Sequence, residues 1–252
     1  MSTTGICLAI LLAVGAVLSL GCCCPGRFPP VVVAPPPVVV QAPQENPAAL
    51  AHKKAADELA QLIAQNLGPN ARVGGLAPNA PVWARIRQSG TQRSYKTNPT
   101  IGGAFGNVPF NETHADGGVL IGFFAGKDDG DHVGFFQPIY LTAKGEKVGK
   151  AYGAVRRPAQ CLKAKAGYAL GGVNLRAGGI IDAMTLVFMK VDGERLNPAD
   201  QYISAALGGQ GGGPASFSSK GELLIGIHGN ATDNDGFVPG GAIASLGFLS
   251  SP

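Results

Sequence analysis

The segment RAGGIIDAMTLVF, residues 176–188, places a glycine pair before the single carboxylate of an otherwise apolar stretch. The residues that could do chemistry here are Gly178, Gly179 and Asp182. An ionised carboxylate only accepts hydrogen bonds and a backbone amide only donates them, so the two together could hold a polar ligand in a binding loop. The alternative is a charged residue at the solvated end of a strand. Which of the two applies depends on the elements that position the segment.

Two acidic stretches, residues 128–131 and 233–235, are the other candidates for chemistry. Their carboxylates could bind Ca²⁺ loosely, although neither has the ligand spacing of an EF-hand loop. Both lie between paired apolar segments, so solvated hairpin turns are the other interpretation. The sequence leaves calcium binding open.

Catalysis, zinc binding and cofactor binding have no support in the sequence. The four histidines have no zinc-ligand spacing, and no G-x-S-x-G motif is present. The glycine-rich run GGQGGG, residues 208–213, lacks the Lys-Ser/Thr that completes a phosphate-binding loop. We therefore expect a protein that is not an enzyme, that uses no cofactor and that has no metal site other than the calcium binding left open.

The composition favours short strands and tight turns, with 38 glycines, 19 prolines and only 14% charged residues. Basic residues concentrate between Lys144 and Arg176, where few aromatic side chains alternate with them. Such a run could contact phosphate or an anionic polysaccharide, but it has few of the aromatic rings on which single-stranded nucleic acid stacks, so we expect no nucleic-acid partner and interpret the run as a solvated face. Cys161 has no partner cysteine in the body, which excludes an internal disulfide there.

Residues 1–24 are predicted to be a signal or anchor segment. Ile6–Leu20 is uncharged and mostly apolar, too short to cross about 30 Å of hydrocarbon comfortably and typical of a signal-peptide core. The end Ser19-Leu20-Gly21-Cys22 resembles the lipobox of bacterial lipoproteins, which implies lipidation of Cys22. An uncleaved membrane anchor and simple secretion are the alternatives. All three place the body outside the cytoplasm, and the first two attach it to the cell envelope through its N-terminus.

Three segments connect this leader to the body. Residues 25–45, with the near-repeat PPVVVAPPPVVV, are predicted to be an extended linker, because proline and valine both favour extended backbone. Residues 46–68 have the spacing of an amphipathic helix, with Asn46 as N-cap and Pro47 as first helical residue. Its apolar stripe could pack on the body or on a second copy of the chain. Residues 69–99 are predicted to be an irregular connector.

Residues 100–252 contain three related units. Each has an apolar strand interrupted by one glycine, then a polar or glycine-rich loop, then a second apolar strand; the glycines are Gly122, Gly171 and Gly226. Each unit is predicted to be a hairpin within its own antiparallel sheet. Three such sheets around a pseudo-threefold axis would form an all-β body that needs no covering layer of helices.

The units resemble the jacalin-related lectins through ELLIGIHG (residues 222–229), AIASLGFL (residues 242–249) and AGGIIDAMTLVF (residues 177–188). The resemblance implies a β-prism of three four-stranded sheets. It also implies a sugar-binding loop in which Gly178 precedes Asp182 by four positions. The glycine-rich run after the next strand would then supply the opposite wall with Gly208 and Gly209.

The resemblance implies a lectin-like, non-enzymatic protein whose partner is a cell-surface or extracellular glycan. The carboxylate would accept hydrogen bonds from sugar hydroxyls, and the glycines would let backbone amides approach the ring. One such site is expected to bind weakly, with a dissociation constant of about 1 mM. The corresponding positions in the other two units are Gly134 and Ala244, so one unit in three keeps the carboxylate. The alternative function is a structural or adhesion module of the cell envelope that associates with itself or with neighbouring proteins.

Overall fold

The structure, a computed structural model, describes residues 47–67, 80–233 and 241–251. The chain divides into two compact units, residues 1–44 and 45–252, and everything described belongs to the second. The predicted leader, the lipidation site at Cys22 and the whole predicted linker, residues 25–45, lie outside the described residues. No helix within them is long and apolar enough to cross a membrane.

Two helices precede the sheets, α1 (Pro47–Asn66) and α2 (Pro81–Gln92). Helix α1 agrees with the predicted helix over residues 46–68. Helix α2 falls within the predicted irregular connector, so that prediction is wrong for residues 81–92. Its apolar side chains Val82, Trp83 and Ile86 are buried together on one face. That burial, together with a proline in the first turn, stabilises a helix whose glycine and β-branched residues give it little intrinsic propensity.

The described residues form fifteen strands of two to twelve residues. In chain order they are β1 (Lys96–Thr97), β2 (Ile101–Gly102), β3 (Val108–Thr113), β4 (Val119–Lys127), β5 (Val133–Thr142), β6 (Gly145–Val148), β7 (Tyr152–Gly153), β8 (Gln160–Lys163), β9 (Tyr168–Ala177), β10 (Ile181–Asp192), β11 (Arg195–Ile203), β12 (Leu207–Gly208), β13 (Gly213–Ser218), β14 (Leu224–Ala231) and β15 (Ile243–Ser250).

The strands form three antiparallel sheets of equivalent topology. Their orders are β6-β5-β4-β8, β11-β10-β9-β13 and β1-β15-β14-β3, and each sheet has one further short strand, β7, β12 or β2 respectively. The centre of each sheet is a hairpin, β4–β5, β9–β10 or β14–β15. The predicted all-β fold, a β-prism of three sheets with one pseudo-threefold repeat, is confirmed.

Each central hairpin has a β-bulge beside a glycine of its first strand. These glycines are Gly122, Gly172 and Gly226, where an added Cβ would lie 2.1, 2.5 and 2.2 Å from a carbonyl oxygen of the neighbouring strand. Because glycine has no side chain, the neighbouring strand β8, β13 or β3 can lie close to the backbone of the hairpin. Gly171, which the sequence pattern selects, is the bulged residue itself, so the predicted alignment is wrong by one position in this unit.

The core lies between the three sheets, where side chains such as Phe123, Leu186 and Phe248 are fully or almost fully buried. A second apolar cluster lies between the helices and the sheets and includes Trp83 of α2 and Phe124 of β4. Both faces of the β4–β5 hairpin are consequently buried. The expectation that no helices would cover the sheets is wrong. The helices bury apolar side chains on the outer face of the sheets, and each buried phenylalanine or isoleucine stabilises the fold by roughly 1.5–3 kcal/mol. Helix α1 packs on the body through Leu59, as one of its two predicted arrangements requires.

Candidate functional site

Asp182 is the bulged residue near the tip of the β9–β10 hairpin. The strand register skips it, since Ile181 pairs with Ala177 and Ala183 pairs with Arg176. A β-bulge turns a side chain away from the regular alternation of the strand. Asp182 therefore lies at the hairpin tip in a position that strand periodicity alone does not define.

The same corner occurs in all three sheets. The register of the other two hairpins skips Gly134 and Ala244, the positions that the sequence aligns with Asp182. The carbonyl oxygens of Asp182, Gly134 and Ala244 accept hydrogen bonds of 2.8, 3.0 and 2.8 Å from the residue that follows the short strand β12, β7 or β2. The last residue of each short strand is a glycine with φ between 77° and 121°. The fold thus builds the backbone of the corner three times.

The structure brings four of the five predicted carbohydrate-binding residues into one corner. The Gly209 amide donates the 2.8 Å hydrogen bond to the Asp182 carbonyl oxygen. An added Cβ on Gly208 would lie 2.2 Å from that oxygen, and one on Gly178 would lie 4.0 Å from Asp182 Oδ2. Gly179 packs instead against the ring of Phe105, which comes from the loop after β2.

Two further glycines of the run 208–213 approach the carboxylate itself. An added Cβ would lie 2.1 Å from Asp182 Oδ1 at Gly211 and 2.5 Å from Oδ2 at Gly212. The loop backbone can therefore lie beside both carboxylate oxygens only because these residues have no side chain. The N–H groups of Gly211 and Gly212 make no hydrogen bond with any described residue. They are two unused donors in the loop that lines the carboxylate.

Arg176 fixes this loop. Its Nε donates to the carbonyl oxygens of Gln210 and Gly211 at 3.0 and 2.8 Å, and its Nη2 donates to that of Gly212 at 2.7 Å. A planar guanidinium group can satisfy several carbonyls at once, and its hydrogen bonds are charge-assisted. In the sequence Arg176 is only the last member of a basic run, because nothing local indicates that its side chain reaches residues 210–212.

His132 is the second residue that the sequence analysis missed. It lies at the tip of the β4–β5 hairpin, in the neighbouring sheet, and its Nε2 is 4.0 Å from Asp182 Oδ1. The ring is held by Asp128, whose side chain is 1% exposed and whose carboxylate accepts from the backbone N–H groups of Gly130 and His132. His132 directly follows the acidic stretch 128–131 in the sequence, but its contact with Asp182 depends on how two sheets meet.

The acidic residues 128–131, considered above as a calcium loop, have partners within the protein. The Asp128 carboxylate accepts hydrogen bonds from backbone N–H groups of the hairpin turn. Asp129 forms ion pairs with Arg156 and Arg157. Lys127 and Arg157 hold the pKa of the Asp131 carboxyl below its usual value by donating hydrogen bonds to it. Within the described ranges, no group of three or more potential ligands could hold a metal ion. Of the stretch 233–235, only Asp233 is described, and its side chain is exposed.

The Asp182 carboxylate itself has no partner in the part of the chain that the structure describes. Its side chain is 13% exposed and accepts no hydrogen bond there, and the only ion-pair contact is the 4.0 Å approach of His132. A largely buried carboxylate without hydrogen bonds is costly, since removing it from water must be offset by new contacts. The corner can therefore accept hydrogen bonds from a ligand that brings hydroxyl groups.

The other two corners cannot do this. Gly134 contributes no side chain, and an added Cβ there would lie 2.7 Å from the Asp128 amide nitrogen. Ala244 is fully buried, and an added Cβ on Gly106 would lie 3.0 Å from its Cβ. Both corners are filled by the protein's own backbone. Within the described residues, the carboxylate and the open glycine loop coincide at Asp182 alone.

The body is similar in structure to jacalin-related lectins. A banana lectin has 15% sequence identity and a TM-score of 0.46, covering 63% of this chain and 99% of its own. A mannose-specific jacalin-related lectin from Morus nigra, solved in complex with mannose, has 18% identity and a TM-score of 0.46, covering 63% and 95%. Artocarpin, a lectin with mannose specificity, has 13% identity and a TM-score of 0.47, covering 63% and 98%.

The predicted resemblance to the jacalin-related lectins is confirmed. No protein-family model matches the chain, and no curated protein matches it either.

Proposed function

We propose that the protein binds carbohydrate, without catalysing a reaction on it, at the corner formed by Asp182 and the loops 178–180 and 208–213. The observation that supports this most directly is the Asp182 carboxylate, which is mostly withdrawn from water yet accepts no hydrogen bond from any described residue. A sugar hydroxyl would donate to it. The ligand's oxygens would in turn accept from the N–H groups of Gly211 and Gly212.

The geometry favours hydroxyl groups over a charged ligand. An anion would be repelled by the carboxylate, and the Nε and Nη2 of Arg176 already donate to three loop carbonyls, which leaves fewer guanidinium N–H groups to bind one. A cation would need more oxygen ligands than one carboxylate supplies. Hydroxyls match a site where one acceptor lies beside several backbone donors, because each hydroxyl both donates and accepts.

The expected affinity is low. A hydrogen bond to a charged group contributes about 1.5–3 kcal/mol, and the loss of ligand freedom offsets much of the total. A single site of this size corresponds to a dissociation constant of about 1 mM, or about −4 kcal/mol.

Asp182→Asn is the test of the carbohydrate site. The change keeps the size of the side chain but removes the charge and one acceptor, so binding of a monosaccharide should weaken by about tenfold or more. Methyl α-mannoside, methyl α-glucoside and methyl α-galactoside would be titrated into the full chain by NMR, with melting temperatures measured in parallel.

The matched control is Asp192→Asn, at the exposed far end of the same strand, which should bind like the parent chain. If the parent binds no sugar on these titrations or on a broad glycan array, the proposal is wrong. The alternative of a structural or adhesion module would then follow, and association of the chain with itself would be measured next.

We also propose that the protein is exported and tethered to the cell envelope through Cys22. This rests on the apolar segment Ile6–Leu20 and the lipobox-like end Ser19-Leu20-Gly21-Cys22. Mass spectrometry of the N-terminal peptide from membranes should find a modified Cys22 as the first residue, and Cys22→Ala should prevent that modification. A peptide that still contains residues 1–21 would instead indicate an uncleaved anchor, and a soluble body without lipid would indicate simple secretion.

A further inference from the structure

His132 reaches the Asp182 corner from a different sheet. It follows the turn of the β4–β5 hairpin, and its side chain is 31% exposed. Its Nδ1 lies 3.2 and 3.0 Å from the two carboxylate oxygens of Asp128. Its Nε2 lies 4.0 Å from Asp182 Oδ1. One imidazole therefore lies between a buried carboxylate that holds it and a second carboxylate that it does not quite reach.

The contact with Asp128 decides which ring nitrogen carries a proton. Asp128 already accepts hydrogen bonds from two backbone N–H groups, and an ionised carboxylate has no hydrogen to give. The ring nitrogen next to it, Nδ1, must therefore be the donor. Nε2 is left without a hydrogen-bond partner among the described residues, and it is directed at the proposed carbohydrate site. The other charged side chains of this hairpin tip have their own partners: Asp131 pairs with Lys127 and Arg157, and Asp129 pairs with Arg156 and Arg157.

The gap between Nε2 and Oδ1 suits a pair of hydroxyls. At 4.0 Å the two atoms are too far apart for a direct hydrogen bond. With the proton on Nδ1, Nε2 presents a lone pair, so both facing atoms accept hydrogen bonds. A hydroxyl has one hydrogen and can donate to only one of them. With two vicinal hydroxyls, one can donate to Asp182 while the other donates to His132.

We propose that His132 is a ligand-contacting, specificity-determining residue, and that its Nε2 and Asp182 Oδ1 together hold a vicinal hydroxyl pair of the glycan. This inference rests on the proposed carbohydrate binding at Asp182. It makes the site a junction of two sheets, with the acceptor on β10 and the second contact on the hairpin β4–β5. Sugars that differ at one hydroxyl would differ in affinity if that hydroxyl lies between Nε2 and Oδ1.

His132→Asn is the variant that tests this role. The asparagine amide can take the place of Nδ1 and donate to Asp128, while the atom corresponding to Nε2 is lost. Binding of whichever of the three methyl α-glycosides the parent chain binds should weaken about fivefold or more, with an unchanged melting temperature. The matched control is His52→Asn, on the exposed face of α1, which should bind like the parent.

Monodeoxy derivatives of the same glycoside distinguish a contact from a merely structural role. Removing the hydroxyl that contacts His132 should weaken binding to the parent chain. In His132→Asn the same deoxy sugar should bind almost as well as the complete sugar. Such non-additivity identifies a direct pair.

The outcomes separate the two proposals. If none of the three glycosides binds the parent chain, carbohydrate binding fails and this inference fails with it. If Asp182→Asn abolishes binding while His132→Asn changes it less than twofold, only the role of His132 is overturned. A loss in His132→Asn that is additive with every deoxy substitution would also overturn it, since the histidine would then act through the shape of the hairpin.

Discussion

The corners at Asp182 and at Ala244 have the same backbone but different contents. In both, the register skips one residue, whose carbonyl oxygen accepts a 2.8 Å hydrogen bond from the amide after a glycine of positive φ. At Ala244 the loop before β3 lies directly on the side chain, which is fully buried. At Asp182 the loop before β13 lies beside the carboxylate and leaves it 13% exposed.

The difference shows what the threefold repeat supplies and what it does not. Repetition supplies a bulge, a tight corner and a hydrogen-bonded carbonyl in every sheet. A binding site also needs a side chain that accepts hydrogen bonds and a loop that leaves room for a ligand. Arg176 keeps the loop open by donating hydrogen bonds to the carbonyl oxygens of residues 210–212. The same corner backbone therefore carries different contents in the three sheets.

Placing a carboxylate in the closed corner should break the protein before it makes a second site. Ala244→Asp would put an unpaired charge into a fully buried position next to Ile180 and Ala242. We expect the free energy of unfolding to fall by about 3 kcal/mol or more, measured by urea denaturation.

The control is Ala205→Asp at an exposed position, which should change stability by less than about 0.5 kcal/mol. A stable Ala244→Asp chain that binds two sugars per molecule would contradict the view that the corners differ in available room.

Filling the open corner should remove binding while keeping the fold. In Gly211→Ala the new methyl group would lie 2.1 Å from Asp182 Oδ1, so it must displace the carboxylate or occupy the space of a ligand hydroxyl. Binding of the methyl α-glycoside should weaken about tenfold, equivalent to about 1.4 kcal/mol, in an NMR titration.

Gly213→Ala is the matched control two residues away. Its added Cβ would meet only the Ala177 carbonyl oxygen, at 4.0 Å, so binding should be retained. Equal losses in the two variants would indicate that the loop responds to substitution in general, and the open corner would then not be the explanation.

Much of the architecture could be predicted from the sequence. Apolar runs interrupted by glycines and separated by polar turns identified the three hairpins. The sequence also aligned Asp182 with Gly134 and Ala244, and these are the three residues at which the strand registers have a bulge. The error at Gly171 arose because Gly171 and Gly172 are adjacent and only the close approach of β13 distinguishes them. Helix α2 was missed because its stability comes from burying Trp83 and Ile86 and hardly from local propensity.

The candidate site could be predicted only as far as one hairpin and one loop. The sequence by itself determined the repeated hairpins, the single carboxylate among three equivalent positions and the glycines that let backbone approach it. Tertiary structure alone decided that Arg176 holds the loop 210–212, that Phe105 covers Gly179 and that His132 faces Asp182. The physical reason is that periodicity and glycine content act within a strand and its turn. Contacts between loops of different sheets depend on how three twisted sheets close around one core, which no local pattern encodes.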